Sequence, residues 1–299
     1  MNKIKELDNI KFRLIYAFYL DNESKSLNDH ISYKIHLKCL EYILNKQNIA
    51  QQFNEIYFII HTLNLNNPLI KTLKYKLAII TNNCKHVHFI IEKNIPKYRE
   101  GIIFKRYILD KLNDYDGMTL FFHNKGYNKT YFENEDSFCS YWIISIYFFN
   151  MYINNFYEYF SKFIYNSNKL IWGFPFIYLK HSIKFSYHIA GSCYWMKCKD
   201  ILKYLNDNDY KNNDYNTNIN PTIYNCAELF FPHTLNIEKF DYYESDILKN
   251  NYNDYIDMFW TQSNNNIKKY FECTLPYRGC KMLFDFYDYI MEDIENYEV

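Results

Sequence analysis

Between Lys11 and Phe122, four short and almost wholly apolar runs alternate with three stretches of helical periodicity. The runs are KFRLIYAFYL from Lys11 to Leu20, EIYFIIHT from Glu55 to Thr62, HVHFII from His86 to Ile91 and MTLFF from Met118 to Phe122. Each is short enough for a strand and lacks the alternation of a half-solvated one, which is the pattern of a strand covered on both faces. Between them, Asn28 to Lys46 places Ile31, Ile35, Leu37, Leu40 and Ile43 at apolar helical positions. Pro68 opens a second helix that runs to about Thr81, at a first-turn position that tolerates its missing N–H, and Arg99 to Tyr115 reads as a third. A β-α-β-α-β-α-β series demands crossover connections, hence a mostly parallel sheet flanked by helices. The fold class expected is therefore α/β and Rossmann-like.

Farther along, Asp136 to about Tyr165 reads as a long helix rich in Tyr, Phe and Ile. Leu170 to Leu179 and Phe185 to Met196 read as single strands, the latter leading into a helix at about Lys199 to Leu205. Asn206 to Asn220 is rich in Asn and Asp and reads as a loop, Glu228 to Phe231 as part of a short helix, and Met282 to Tyr297 as a terminal acidic helix. The expected organisation is one domain over residues 1–240 with a mainly helical extension over 241–299 packed on it.

The 299 residues suffice for one large core, and aromatic residues at 21% supply much of it. Asn, Lys, Ile and Tyr are abundant and Ala is rare, a bias expected of an AT-rich genome. Lys and Arg number 34 and so do Asp and Glu, with no long basic run; duplex nucleic acid, whose binding rests on phosphate neutralisation, is not an expected partner. The 8 cysteines include no C-x-x-C pair, and scattered thiols fit a reducing compartment. The N-terminus has no apolar signal region, and Tyr141 to Phe149 falls far short of the ~20 residues that span a bilayer. The expected location is the cytoplasm, or a viral factory if the source is a virus.

The motif with most chemical content is Phe121-Phe122-His123-Asn124-Lys125-Gly126. A buried strand here runs into a basic, glycine-ended turn at its carboxyl end, the edge at which open α/β sheets bind ligands. Lys beside a Gly that admits close backbone approach suits a phosphate group. Neither G-x-G-x-x-G nor G-x-x-x-x-G-K-[ST] occurs, which argues against dinucleotide oxidoreductases and P-loop enzymes.

Three segments in order carry a family resemblance: the HNKG turn, Trp142 in SFCSYWIISIYFF, and His188-Ile-Ala-Gly191-Ser-Cys-Tyr-Trp195 followed by Ala227-Glu228. Tyr98-Arg99-Glu100 fits more loosely. Over about residues 11 to 235 the chain resembles bacterial and large-virus glycosyltransferases of the nucleotide-diphosphosugar transferase, or GT-A-like, fold. It departs from them at Ile143, where the family has Arg, and at Ser192-Cys193-Tyr194, where the family has Asn-Phe-Trp.

The resemblance implies transfer of a sugar from a nucleotide-diphosphate donor to a hydroxyl of a glycan or protein acceptor. Such chemistry must offset charge on the departing diphosphate, place the acceptor hydroxyl and, in an inverting enzyme, remove its proton. GT-A enzymes usually hold Mn²⁺ or Mg²⁺ with a D-x-D at the fourth strand's carboxyl end. The D-x-D here, Asp114-Tyr115-Asp116, instead precedes that strand. His123, Asn124 and Lys125 occupy the expected position, so Lys125 is read as the diphosphate contact with His123 and Asn124 donating hydrogen bonds and Gly126 admitting the ligand. A cation held by His123 with His233 or Asp21 is the alternative.

Asp21, after the first strand, is either a carboxylate for a ribose hydroxyl or an ordinary polar turn. Glu100 either reaches the nucleotide or complements a helix dipole. Gly191, Ser192, Trp195 and His233 form the candidate acceptor side, with Trp195 either a stacking face for a pyranose or a core residue. Glu228, in CAELFF, is the candidate general base or a surface position. His86-Val-His88 puts two imidazoles on one face of a strand but brings no third ligand, and the aromatic stripe from Tyr141 to Tyr165 reads as core rather than as a base-stacking surface. A non-catalytic sugar- or nucleotide-binding module of the same fold is the rival class.

Overall fold

The computed structural model describes residues 10–20, 25–27, 31–46, 48–94, 106–107, 115–123, 163–173, 176–178, 187–189, 194–207 and 239–241. In chain order they form β1 (Lys11–Leu20), α1 (Ile31–Leu40), β2 (Glu55–Thr62), α2 (Leu69–Ile80), β3 (Val87–Lys93), β4 (Gly117–His123), β5 (Ile171–Gly173), β6 (Phe176–Tyr178), β7 (Tyr187–Ile189), β8 (Tyr194–Lys197), α3 (Cys198–Asp207) and β9 (Phe240–Asp241). A π-helical turn, Glu41–Lys46, extends α1, and a short 3₁₀ turn, Ile49–Gln52, leads toward β2.

A 7-stranded sheet in the order β3-β2-β1-β4-β8-β5-β9 organises the molecule. β1 pairs in parallel with β2 and β4, and β2 with β3. β8 runs antiparallel to both β4 and β5, while β9 is parallel to β5, so β8 alone opposes the common direction. The chain is thus a mixed α/β protein with a mostly parallel sheet. Burial follows position in that sheet. In central β1 only Lys11 and Tyr19 escape full burial, whereas edge strand β3 alternates between half-buried and exposed positions. A continuous apolar run is what a strand needs when helices or loops cover both its faces.

One face carries Phe12, Leu14, Tyr16, Phe18, Phe58, Leu120, Phe122 and Trp195 in the larger core cluster; the other carries Ile15, Ala17, Ile59, Phe121, Tyr194 and Met196. α1 packs Tyr33, Leu37 and Leu40 into the first, and Leu37, Leu40 and Ile43 are buried as their periodicity predicts. His36 also points inward, its Nδ1 bonded to the Tyr16 hydroxyl at 2.5 Å. The side chains of Ile31 and Ile35 lie outside the described residues.

α2 matches its local signals at both ends. Pro68 is its N-cap residue, and the Asn67 side-chain oxygen accepts the Leu69 N–H at 2.9 Å. At the other end Asn82 and Asn83 adopt left-handed φ of 53° and 51°, and their N–H groups return to Ile79 and Ala78 oxygens. Asparagine bears that conformation better than most residues.

Later elements differ from the sequence reading. Leu170 to Leu179 is not one strand: β5 joins the large sheet and β6 a separate two-stranded one with β7. Phe185 to Met196 likewise divides into β7 and β8. Pro175, which lacks a ladder donor, falls in the first gap, and Gly191, a weak strand residue, in the second. β9, too short to carry a periodic signal, straddles the domain boundary expected at residue 240. α3 takes in Asn206 and Asp207, where the Asn- and Asp-rich composition predicts a loop. Tyr115, expected to end the third helix, is in neither helix nor strand and lies just before β4; Arg106 and Tyr107 are that segment's other described residues. Of the long helix, Phe163–Tyr165 are described and helical. The short helix at 228–231, the loop beyond Asp207 and the acidic helix at 282–297 lie outside the described residues.

Candidate active site at the carboxyl edge of the sheet

Strand order reverses beside β1: β2 and β3 follow on one side, and β4 returns to the other. A crevice outside the carboxyl ends of the strands forms at such a switch point. Here it falls between Leu20 and His123, the last residues of β1 and β4, with His123 opposite Ala17 in the parallel register. The D-x-D is at the other end: Asp116 immediately precedes β4 and pairs with Lys199 at 3.4 Å, both side chains exposed.

His123 is 6% exposed. Its imidazole shares a sheet face with Phe121, 6.3 Å away between ring centroids, and closes the core beneath the edge rather than standing open at the rim. Asp21 and Asn124, Lys125 and Gly126 follow β1 and β4 directly in sequence and lie outside the described residues, as do Glu100, Gly191, Ser192, Glu228 and His233.

A polar corner that sequence reading passed over occupies the same edge on β2 and β3. Tyr19, His61 and Glu92 are consecutive register partners and therefore share one face. The Tyr19 and His61 rings meet edge to face at 5.3 Å. His61 is 5% exposed, and burial lowers its pKa to about 4 against the opposing effect of a hydrogen bond with the Asn94 side chain, so the ring is neutral near pH 7. Glu92 accepts hydrogen bonds from Arg106 at 2.6 Å and from the Tyr107 hydroxyl, whose pKa is raised by burial and then by that carboxylate. Among the described residues His61 Nδ1 and Asn94 Oδ1 are buried and fall short of full hydrogen-bond geometry, and Asn94 is the side chain that bonds the ring. The two side chains therefore form a buried polar pair at the carboxyl edge. The available signal was a histidine closing an otherwise apolar strand, EIYFIIHT.

Trp195 belongs to the core. It is fully buried on β8, stacked on Phe53 at 6.2 Å and edge-on to Phe12 at 6.1 Å. It has no free face for a sugar, because an antiparallel strand entered beside β4 and turned the indole under the sheet. The motif containing it also divides: His188 pairs with Ile177 in the small sheet, away from Tyr194 and Trp195 in the large one. His86 Nε2 contacts the Ala50 carbonyl at 3.0 Å and His88 stacks on Tyr57, so the two do not act as a pair; no cluster of three or more metal-ligating side chains occurs among the described residues.

At the opposite, amino edge lies a second polar cluster, in which the Tyr115 hydroxyl is buried without a hydrogen-bond partner among the described residues. Buried Arg13 donates from Nε to Thr119 Oγ1 at 2.9 Å and lies over the Tyr115 ring at 4.3 Å. Thr119 Oγ1 is 3.1 Å from Cys198 Sγ, and that thiol reaches the Met196 carbonyl. Burial holds the Cys198 pKa above its ordinary value, so the sulfur stays protonated despite the guanidinium.

Comparison with known proteins adds little to these observations. No family model matches the chain, and no curated protein matches it. Among solved structures it is similar to the 4-diphosphocytidyl-2C-methyl-D-erythritol synthase of Anaerococcus prevotii DSM 20548, at 11% identity and a TM-score of 0.34 over 80% of this chain and 88% of that one.

Proposed function

We propose that this chain is a glycosyltransferase of GT-A-like fold that uses a nucleotide-diphosphate sugar. The observation that carries the reading is the place of the HNKG run, which begins at the last residue of β4 and so on one side of the switch point. Lys125 and Asn124 contact the diphosphate and offset the charge that develops as it leaves. His123 supports that turn from the buried side, Gly126 admits the phosphates, and Asp21 and Glu100 hold the nucleotide. Glu228 takes the proton of the acceptor hydroxyl, with Gly191, Ser192 and His233 on the acceptor side. The acceptor is a glycan or a protein.

The test is a thermal-shift panel of UDP, GDP, CMP and dTDP sugars, each with Mn²⁺ and with EDTA, followed by turnover of wild type and Lys125→Ala. One nucleotide should raise the unfolding midpoint selectively, and Lys125→Ala should lower turnover by about 100-fold or more, as loss of one charge-stabilising group does. No shift with any nucleotide would end the reading. The position of Asp116 at the amino edge favours a second reading, a non-catalytic sugar- or nucleotide-binding module. Selective nucleotide binding without turnover in the wild-type chain would select it.

A further inference from the structure

No acidic residue stands between Glu55 and Glu92, although acids and bases are equal in number over the whole chain. The same interval contributes Lys71, Lys74, Lys76 and Lys85, so the β2-α2-β3 unit is a cationic surface on a neutral protein. Its outer side is not merely charged. Tyr75 is 67% exposed and Ile79 46%, one helical turn apart on α2, and Leu63 and Leu65 are exposed in the segment that leads into the helix. Lys71, Tyr75 and Ile79 recur every four residues and form one outward stripe, while Leu69, Ile70, Leu73, Leu77 and Ile80 on the same helix are buried. Lys74 extends over the Phe89 ring at 5.5 Å, its stem against the sheet.

We infer that this α2 face docks on an anionic lipid surface, with Leu63, Leu65, Tyr75 and Ile79 entering the headgroup boundary and the lysines facing the lipid charges. Charge complementarity selects an anionic partner, and a lipid interface is the partner that also takes in exposed aliphatic side chains and Tyr. A nucleic-acid backbone satisfies the lysines but offers no apolar phase for Leu and Ile. No helix among the described residues is long and apolar enough to cross a membrane, so the contact is peripheral. The α2 amino end lies at the carboxyl edge of the sheet, so docking brings that edge toward the lipid.

The experiment is co-sedimentation of the full chain with vesicles of phosphatidylcholine alone and with about 30% phosphatidylserine. Expected is pelleting with the anionic vesicles only, reversed by NaCl at about 0.5 M. Lys71→Glu/Lys76→Glu should weaken vesicle affinity by at least ~25-fold, from ~5-fold per lost lysine. Tyr75→Ser/Ile79→Ser should weaken it several-fold with the charge intact. Both double variants should keep the wild-type thermal midpoint, since the residues replaced lie outside the core. Failure of the wild type to pellet, or equal pelleting by the well-folded variants, overturns the inference. So does binding of polyglutamate as tight as that of the vesicles and equally lowered by Tyr75→Ser/Ile79→Ser, which would assign the face to an acidic protein.

Discussion

The two edges of the sheet bury polar groups of different kinds, a guanidinium–hydroxyl–thiol chain at one and an imidazole–amide pair at the other. At the amino edge Arg13, Thr119 and Cys198 form a donor chain that ends on a backbone carbonyl, with the guanidinium over Tyr115. At the carboxyl edge His61 and Asn94 form a buried pair whose ring nitrogen and amide oxygen fall short of full hydrogen-bond geometry. A buried polar network with its partners in place stiffens a fold, whereas one left incomplete lowers stability unless something else completes it. The strand order places its switch point at the carboxyl edge. Gly117 shows how tightly the amino edge is closed, since a Cβ there would lie 2.3 Å from the Lys11 carbonyl oxygen.

The contrast can be broken at several points. Trp195→Ala sets the scale of the sealed interior between the edges: removing so large a buried side chain should cost about 4 kcal/mol in denaturant unfolding. A cost below about 1 kcal/mol, the range of exposed sites, would mean that the indole is a surface platform after all. Thr119→Val comes next. It keeps the shape but leaves the Arg13 Nε–H buried without its acceptor, so the expected loss is about 2 kcal/mol by the same measurement. A neutral result would show that the amino edge is as loosely satisfied as the other.

Acidification tests the carboxyl edge. The His61 pKa is about 4 in the folded chain, below the ordinary value of 6.5, so the unfolded chain binds the extra proton first. The stability this ring contributes is complete above about pH 6.5 and declines as pH falls toward 4, with about 2 kcal/mol lost by pH 5. His61→Phe should remove that slope in unfolding measured across pH. At pH 7 the same substitution should cost about 1 kcal/mol, the smallest effect here, because it replaces a neutral buried ring and removes only its bond with Asn94. A loss well above that at pH 7 would show a stronger polar network around His61 than the Asn94 bond alone.

The first half of the fold was legible because its signals are local. β1 and β2 begin and end where their apolar runs do, and α2 lies between the Pro and Asn residues that bound it. Each depends on neighbours a few residues away, where sequence spacing and spatial spacing coincide. For the site, sequence alone placed a basic, glycine-ended turn after one strand and a carboxylate after another. It also put the D-x-D at the far end, where Asp116 is found.

Long-range pairing decided the rest. Which strand β8 joins, and in which direction, depends on register between Phe121 and Tyr194, and that register buried Trp195. The division of two apparent strands between two sheets arose the same way. His61 and Asn94 became neighbours only when β2 and β3 aligned, so no local pattern could announce them. Composition and periodicity determined an α/β chain with a parallel core and a second helix that begins at a proline. Tertiary structure decided which of its aromatic and polar residues the sheet would seal and which it would leave unmatched, because burial is a property of pairs distant in sequence.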